Sequence, residues 1–185
     1  CSSVCAHNAI QVSSDLMGFR YPKKDMTKCV NCGLCEKVCH NNYQPQLRKP
    51  VDSFVSTAIR ENESLSSTSG GLASVLSRKV ISQGGVVYGC TAELATHVRH
   101  IRIDKESDVS LLKGSKYLLS DMQGIMPQIK ADLKNGLKVL FIGTPCQVAG
   151  VKSFLGRDYE NLLTVDFVCH GVPSQQLFIM HVLKG

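Results

Sequence analysis

The sequence predicts an α+β/α/β protein with two modules, a cysteine-rich N-terminal module over residues 1–50 and an α/β domain over residues 51–185. Six of the nine cysteines lie within the first 39 residues, which sets the N-terminal module apart by composition. From residue 51 onward the apolar pattern alternates between helical and strand periods, which is typical of an α/β layer around a largely parallel sheet. A chain of 185 residues is long enough for one full domain and one small module.

Charge and composition exclude several classes of protein. Hydrophobic residues make up 43% of the chain and charged residues 19%, so the chain can bury a core. No apolar run approaches the roughly 18 residues of a membrane-spanning helix, and no stretch has the pattern of a secretory signal, so we expect a cytoplasmic protein without a membrane span. The formal charge of +6 comes from scattered basic residues without any Trp. We expect no nucleic-acid partner, because such proteins carry a basic stripe with stacking aromatics.

The N-terminal module contains a cysteine run of the kind that holds iron–sulfur clusters. Cys29, Cys32, Cys35 and Cys39 have the spacing C-x-x-C-x-x-C-x-x-x-C, which bacterial ferredoxins use to bind 4Fe–4S clusters. Three thiolates at this spacing wrap one face of a cuboidal cluster, and the fourth serves a neighbouring cluster. A disulfide framework would need an oxidising compartment. A structural zinc site usually has two C-x-x-C pairs about 15–20 residues apart.

The first five residues resemble the second half of another copy of this run. Cys1 and Cys5 have the spacing C-x-x-x-C, and Ala6 and His40 stand where a Pro usually follows the fourth cysteine. In a two-cluster ferredoxin the fourth cysteine of each copy crosses over to the other cluster. The second cluster would then use Cys1 and Cys39 with two cysteines upstream of residue 1, so we expect an internal piece of a longer protein. The first cluster is expected to have the complete ligand set Cys5, Cys29, Cys32 and Cys35.

Secondary structure is expected in a regular order along the chain. A hairpin over residues 9–21 should join the two cysteine loops, and turn and linker residues end the module near residue 50. The α/β domain is then expected to have helices over residues 72–83 and 123–133, from 145 and from about 174, and strands over residues 86–91, 97–104, 138–143 and 162–168.

Two loops of the α/β domain follow the carboxyl ends of strands, where open α/β sheets bind ligands. In Gly143-Thr-Pro-Cys-Gln, Thr144 and Gln147 have the spacing of a capping box, which puts Cys146 in the first turn of a helix. The second loop carries Cys169 and His170. If the two strands are neighbours, two thiols and an imidazole converge. Alternatives remain open: Cys146 as a buried small residue, or as a nucleophile with His170 as its base.

Two further segments are candidates for binding an anion. Ser66-Ser-Thr-Ser-Gly-Gly leads into a helix, whose N-terminal amides favour a phosphate. Lys113-Gly-Ser-Lys-Tyr has two cations and a hydroxyl beside a Gly. The first segment is also compatible with an ordinary helix-capping loop, and the second with a solvated turn. Cys90 has no partner in such a loop and is expected to be a core residue.

Five segments occur in an order that resembles a known family. They are Ser69-Gly-Gly, Gly85-Val-Val-Tyr-Gly, Lys113-Gly-Ser-Lys-Tyr, Gly143-Thr-Pro-Cys-Gln-Val-Ala-Gly and Val168-Cys-His-Gly-Val-Pro-Ser. Together they resemble the beta subunit of coenzyme F-420 hydrogenase/dehydrogenase, including members with a fused N-terminal two-cluster 4Fe–4S ferredoxin domain. The resemblance covers nearly the whole chain, and its Gly143 and Val168 segments are the most specific.

The resemblance implies an oxidoreductase that contains both flavin and iron–sulfur clusters. FAD would exchange a hydride with a deazaflavin or another small two-electron substrate, and electrons would pass between it and the clusters. Another redox subunit or a soluble electron carrier would be the partner. The alternative is a non-catalytic electron-transfer or docking subunit, which would be isolated without flavin.

The resemblance also assigns residues to the cofactors, although it points to no catalytic side chain. Cys146 and Cys169 match positions that resemble ligands of an additional 4Fe–4S cluster, whose remaining ligands would lie past Gly185. The segments that resemble the flavin-site lining contain Ser69, Gly70, Gly71, Ser115 and Lys116.

Overall fold

An antiparallel hairpin and a short helix form the N-terminal module in the computed structural model, which describes residues 2–42, 49–94 and 97–182. Strand β1 (Ile10–Ser14) pairs with β2 (Arg20–Lys24), which confirms the predicted hairpin. Asp15 closes its turn, because its Oδ1 accepts hydrogen bonds from the amides of Met17 and Phe19. Helix α1 (Leu34–Lys37) follows the cysteine loop. Cys1 and residues 43–48, which overlap the predicted turn and linker before residue 50, lie outside the described residues.

A four-stranded mixed sheet with helices around it forms the α/β domain. Its strands run in the order β4-β3-β5-β6; β3 pairs with β5 and β5 with β6 in parallel, whereas β3 and β4 are antiparallel. The short connection between β3 and β4 accounts for their direction, since parallel neighbours need a crossover of a dozen or more residues. The strands are β3 (Val86–Ala92), β4 (Val98–Ile103), β5 (Val139–Gly143) and β6 (Leu162–Asp166), and the helices are α2 (Glu61–Leu65), α3 (Leu72–Ser82), α4 (Ile125–Lys134), α5 (Pro145–Leu155) and α6 (Gln175–Val182).

Both faces of the sheet are covered, which explains why its central strands β3 and β5 are largely apolar. Tyr88 and Phe141 point to one face and pack with buried residues of α4 and α5, such as Ile129. Val87 and Leu140 point to the other face and pack towards α3. This alternation follows from the period of two residues along a strand. No helix among the described residues is both long and apolar enough to cross a membrane.

The N-terminal module touches the α/β domain through its hairpin and through the residue after Cys39. The Arg20 guanidinium lies 3.1 Å from the Asp121 carboxylate. The hairpin turn approaches α6 so closely that a Cβ on Gly18 would lie 2.9 Å from the backbone nitrogen of Gln176. His40 lies near Gly150 of α5, since a Cβ there would be 3.9 Å from its Nδ1. These contacts orient the hairpin and α1 relative to the sheet.

Candidate functional site

Four cysteines line one cavity of about 200 Å³ in the N-terminal module, here called the thiol cavity. Cys5 reaches it from the turn before β1, Cys29 and Cys32 come from the loop that leads into α1, and Cys35 lies in α1 itself. In the described part of the chain no three His, Cys, Asp or Glu side chains are close enough to hold a single metal ion. The thiols of the cavity are Cys5, Cys29, Cys32 and Cys35.

Backbone amides already point at two of these sulfurs. The amide of Ala9 donates a hydrogen bond to Cys5 Sγ at 3.3 Å, and the amide of Asn31 donates one to Cys29 Sγ at 3.4 Å. Asn31 adopts the left-handed region with a φ of 53°, and Gly33 does so with a φ of 71°. Such turns bring amides towards a common point, and hydrogen bonds to cluster sulfurs are one of the factors that set a cluster's potential.

A lysine shares the thiol cavity with the four cysteines. Lys24, at the end of β2, is among the lining residues, and its Nζ donates a hydrogen bond to Asn31 Oδ1 at 3.0 Å. The pKa of Lys24 is raised, first by a hydrogen bond to the Cys29 thiol and then by that group's negative charge when it ionises. The cavity therefore combines four soft sulfur ligands with one positive charge.

Cys39 does not line the thiol cavity. It follows α1, is half-buried, and its amide donates a hydrogen bond to the carbonyl of Glu36 at 3.2 Å. Its assignment to a different group from Cys5, Cys29 and Cys35 stays a prediction. Its expected companion Cys1 lies outside the described residues.

The two strand-end loops of the α/β domain follow neighbouring parallel strands, which is the condition on which the predicted convergence of their thiols depends. Strands β5 and β6 are parallel neighbours with Gly143 opposite Asp166. Cys146 and Cys169 each come three residues after these paired positions, and both are exposed. The amide of Gly171 donates a hydrogen bond to Cys169 Sγ at 3.4 Å. Adjacent strand ends therefore present two accessible thiols.

Helix α5 begins with the predicted capping box. Thr144 is the N-cap residue, Pro145 opens the helix, and the Thr144 amide donates a hydrogen bond to Gln147 Oε1 at 3.0 Å. The Thr144 hydroxyl also lies 3.1 Å from Cys146 Sγ. The box thus fixes the backbone on both sides of Cys146.

A buried polar network behind this loop was not apparent from the sequence. It consists of His100, Ser120 and Gln147, which are respectively 4%, 7% and 9% exposed. Ser120 Oγ lies 2.8 Å from His100 Nδ1 and accepts a hydrogen bond from Gln147 Nε2 at 2.7 Å. His100 Nε2 lies 3.1 Å from the carbonyl oxygen of Ile142, an acceptor, so Nε2 carries the proton and Ser120 donates to Nδ1. The network ties β4, β5 and α5 together beneath Cys146.

His100 is neutral in this network. Burial lowers its pKa from 6.5 to about 4, and the hydrogen bond to Ile142 offsets only part of that effect. Its ring stacks on Phe141 with the centroids 5.2 Å apart. Its partners could not be foreseen, since they come from three separate segments. The sequence offered only a His on a strand.

The predicted phosphate-binding segment is partly covered by other parts of the chain. Ser69 is exposed and has a φ of 52°. The carbonyl of Gly70 accepts a hydrogen bond from the amide of Ala58 at 2.7 Å, and a Cβ on Gly70 would lie 2.9 Å from the Ser56 carbonyl oxygen. Gly71 is buried. The two glycines therefore make close contact with residues 56–58, whereas Ser66, Thr68 and Ser69 of this segment are exposed to solvent.

Lys116, expected in the flavin-site lining, donates hydrogen bonds to backbone carbonyls. Its Nζ lies 2.9 Å from the carbonyl oxygen of Leu112 and 2.7 Å from that of Lys113. Burial lowers the pKa of Lys116, and the nearby Cys90 thiol acts in the opposite direction. Ser115 beside it is exposed. Lys116 thus closes the end of the 3-10 helix Glu106–Leu112.

A polar depression of about 550 Å³ lies on the α2 side of the domain, and sequence reasoning identified only Ser66 and Lys113 within it. The buried Glu63 carboxylate is 2.7 Å from Lys113 Nζ and 3.3 Å from the Arg78 guanidinium. Lys113 Nζ also donates a hydrogen bond to Ser66 Oγ at 2.8 Å. The hydrogen bond to Lys113 is the main cause that lowers the pKa of Glu63.

Comparisons with known proteins find a matching family for one part of the chain. Residues 136–184 match the family described as the C terminus of the coenzyme F420 hydrogenase/dehydrogenase beta subunit. A chain of the F420-reducing NiFe hydrogenase complex from Methanosarcina barkeri, solved as a xenon derivative, aligns with 16% sequence identity and a TM-score of 0.48. That alignment takes in 61% of the present chain and 42% of the hydrogenase chain. A search of curated proteins gave no match.

Proposed function

We propose, from the match of residues 136–184 to this family of redox subunits, that the chain is an electron-transfer module of an iron–sulfur flavoprotein oxidoreductase. The matched segment contains both strand-end loops, with Cys146 and Cys169. The thiol cavity is the observation that carries the proposal, because four thiols around one space form the donor set of an iron–sulfur cluster.

The residues of the thiol cavity fit a 4Fe–4S cluster. Four cysteine thiolates are the usual ligands, and all four line the cavity. Two of the sulfurs accept backbone hydrogen bonds, and Gly33 has open space above its Cα. A bound cluster would accept or donate one electron at a time. The chain's own part is to hold the sulfurs, to orient amides towards them and to set the local charge.

The strand-end loops supply two thiols and therefore half of a further cluster site. We propose that Cys146 and Cys169 are two of its four ligands. The capping box and the polar network give Cys146 a fixed backbone, and the amide of Gly171 supports Cys169. Cys39 with Cys1 would provide two ligands of the second N-terminal cluster.

FAD binding is the finer part of the proposal, and the described residues fit it incompletely. Gly70 and Gly71 contact residues 56–58, and Lys116 bonds backbone carbonyls, so these three do not form an open anion site. Ser69 remains exposed, and Ser66 and Lys113 line the adjacent depression. The family resemblance and this depression support FAD in the α/β domain, with a small two-electron substrate and a redox partner protein.

Anaerobic purification of the full-length protein, with iron, sulfide and flavin measured per chain, tests this function. We expect 4Fe–4S clusters together with FAD. Clusters without flavin would favour the non-catalytic electron-transfer or docking subunit. A Lys113→Met variant should lose flavin while keeping its iron, and Lys105→Met, an exposed lysine outside the depression, serves as the control. Protein without iron and sulfide would contradict the proposal altogether.

A further inference from the structure

Lys24 brings a positive charge to the thiol cavity. We propose that Lys24 tunes the group held by Cys5, Cys29, Cys32 and Cys35, raising its reduction potential and supporting the turn that bonds Cys29. This inference rests on the proposed function, because it needs a cluster in the cavity. It assigns a role to a residue outside the cysteine motif.

The position of Lys24 follows from the hairpin register. Lys24 is opposite Ile10 on β1, and both residues line the cavity. Side chains alternate between the two faces of a strand, so the preceding Lys23, opposite Gln11, lies on the other face and is absent from the lining. Two adjacent lysines of the same strand thus differ in whether they face the thiols.

A second contact links Lys24 to the cysteine loop. Its Nζ donates a hydrogen bond to Asn31 Oδ1 at 3.0 Å, and the amide of Asn31 donates one to Cys29 Sγ at 3.4 Å. Asn31 has a φ of 53°, in the left-handed region that non-glycine residues seldom adopt. Lys24 therefore holds the side chain of the residue whose backbone approaches the sulfur.

Charge explains the direction of the expected effect. Reduction adds one negative charge to a cluster, so a nearby ammonium stabilises the reduced state more than the oxidised state. Because Lys24 is exposed to solvent, salt should screen this attraction.

Glu36 brings a negative charge to the lining of the thiol cavity, opposite in sign to that of Lys24. It lies in α1, is exposed, and lines the thiol cavity with Lys24. Removing its negative charge should shift the potential upwards, whereas removing the positive charge of Lys24 should shift it downwards. A merely structural role would not predict shifts of opposite sign.

The test is a spectroscopic redox titration of the full-length protein, purified anaerobically, in the parent and in Lys24→Gln, Lys24→Arg, Lys23→Gln and Glu36→Gln. We expect Lys24→Gln to lower the midpoint of one cluster signal, with at least a threefold change in the reduction equilibrium, or about 28 mV at 59 mV per tenfold for one electron. The shift should shrink as the salt concentration rises. Lys24→Arg and Lys23→Gln should stay at the parent value, and Glu36→Gln should move upwards.

The possible outcomes distinguish a failure of this inference from a failure of the proposed function. A parent protein without any cluster signal would overturn the proposed function and the inference with it. A parent with clusters, and a Lys24→Gln variant whose midpoint equals that of Lys23→Gln, would overturn the inference alone. A shift of Lys24→Gln that does not depend on salt, or that Lys24→Arg shares, would overturn the electrostatic role.

Discussion

Replacing Ser120 with Ala removes the central hydroxyl of the buried polar network. Ser120 donates to His100 Nδ1 at 2.8 Å and accepts from Gln147 Nε2 at 2.7 Å, and all three residues are less than one-tenth exposed. The substitution leaves one buried acceptor and one buried donor without their partner. Each such loss costs about 1–3 kcal/mol, so we expect Ser120→Ala to lower the free energy of unfolding by about 3 kcal/mol.

Urea unfolding followed by circular dichroism measures this loss. With a slope of about 2 kcal/mol per molar urea, the midpoint should fall by about 1.5 M. Ser110→Ala is the matched control, because its exposed hydroxyl donates only to the carbonyl of Ser107 at 3.1 Å. We expect the control to remain within about 0.5 kcal/mol of the parent. A Ser120→Ala midpoint equal to that of Ser110→Ala would refute the network as a source of stability.

Two further predictions concern pH and backbone packing. The pKa of His100 is about 4 in the folded state, below its ordinary value of 6.5, so the unfolded chain binds this proton more readily than the folded protein. The contribution of His100 to the free energy of unfolding should therefore be fully present above pH 6.5. It should fall by about 3 kcal/mol as the pH drops from 6.5 to 4. Urea unfolding of the parent and of His100→Gln across this pH range measures how the free energy of unfolding depends on pH. The variant should lack the part of that dependence that His100 causes, and equal dependence in both proteins would contradict the prediction. Gly85→Ala should cost about 1–3 kcal/mol, because its Cβ would lie 2.6 Å from the Lys138 carbonyl oxygen. Gly150→Ala is the control, because the atom nearest to its Cβ would be 3.6 Å away, and it should leave the thermal unfolding midpoint unchanged. Equal loss of stability in the two variants would contradict the close packing at Gly85.

Local features could be predicted from the sequence because their causes lie within a few residues. The capping box at Thr144 and Gln147, the hairpin and the four strands of the domain follow from turn chemistry, capping and periodicity, and the structure confirms them. The sheet was expected to be largely parallel, and the antiparallel direction of β4 was not predicted. It depends on a short connection rather than on composition.

Contacts between distant segments could not be predicted from local patterns. Gly70 was expected to offer its backbone to a phosphate, but residues 56–58 cover it. Gln147 was expected only as part of the capping box, but its Nε2 also donates a hydrogen bond to Ser120, which lies 27 residues earlier in the chain. Such roles depend on tertiary packing, which no spacing motif encodes.

The most direct test of the account is the cluster content of a Cys5→Ser variant. Cys5 is separated in the sequence from the other thiols of the cavity and reaches it only through the fold. Iron and sulfide, measured per chain in anaerobically purified full-length protein, should fall by the equivalent of one 4Fe–4S cluster in Cys5→Ser. They should remain at the parent value in Cys90→Ser, whose thiol is partly buried in β3. Parent-level iron in Cys5→Ser would contradict the assignment of the thiol cavity as a cluster site.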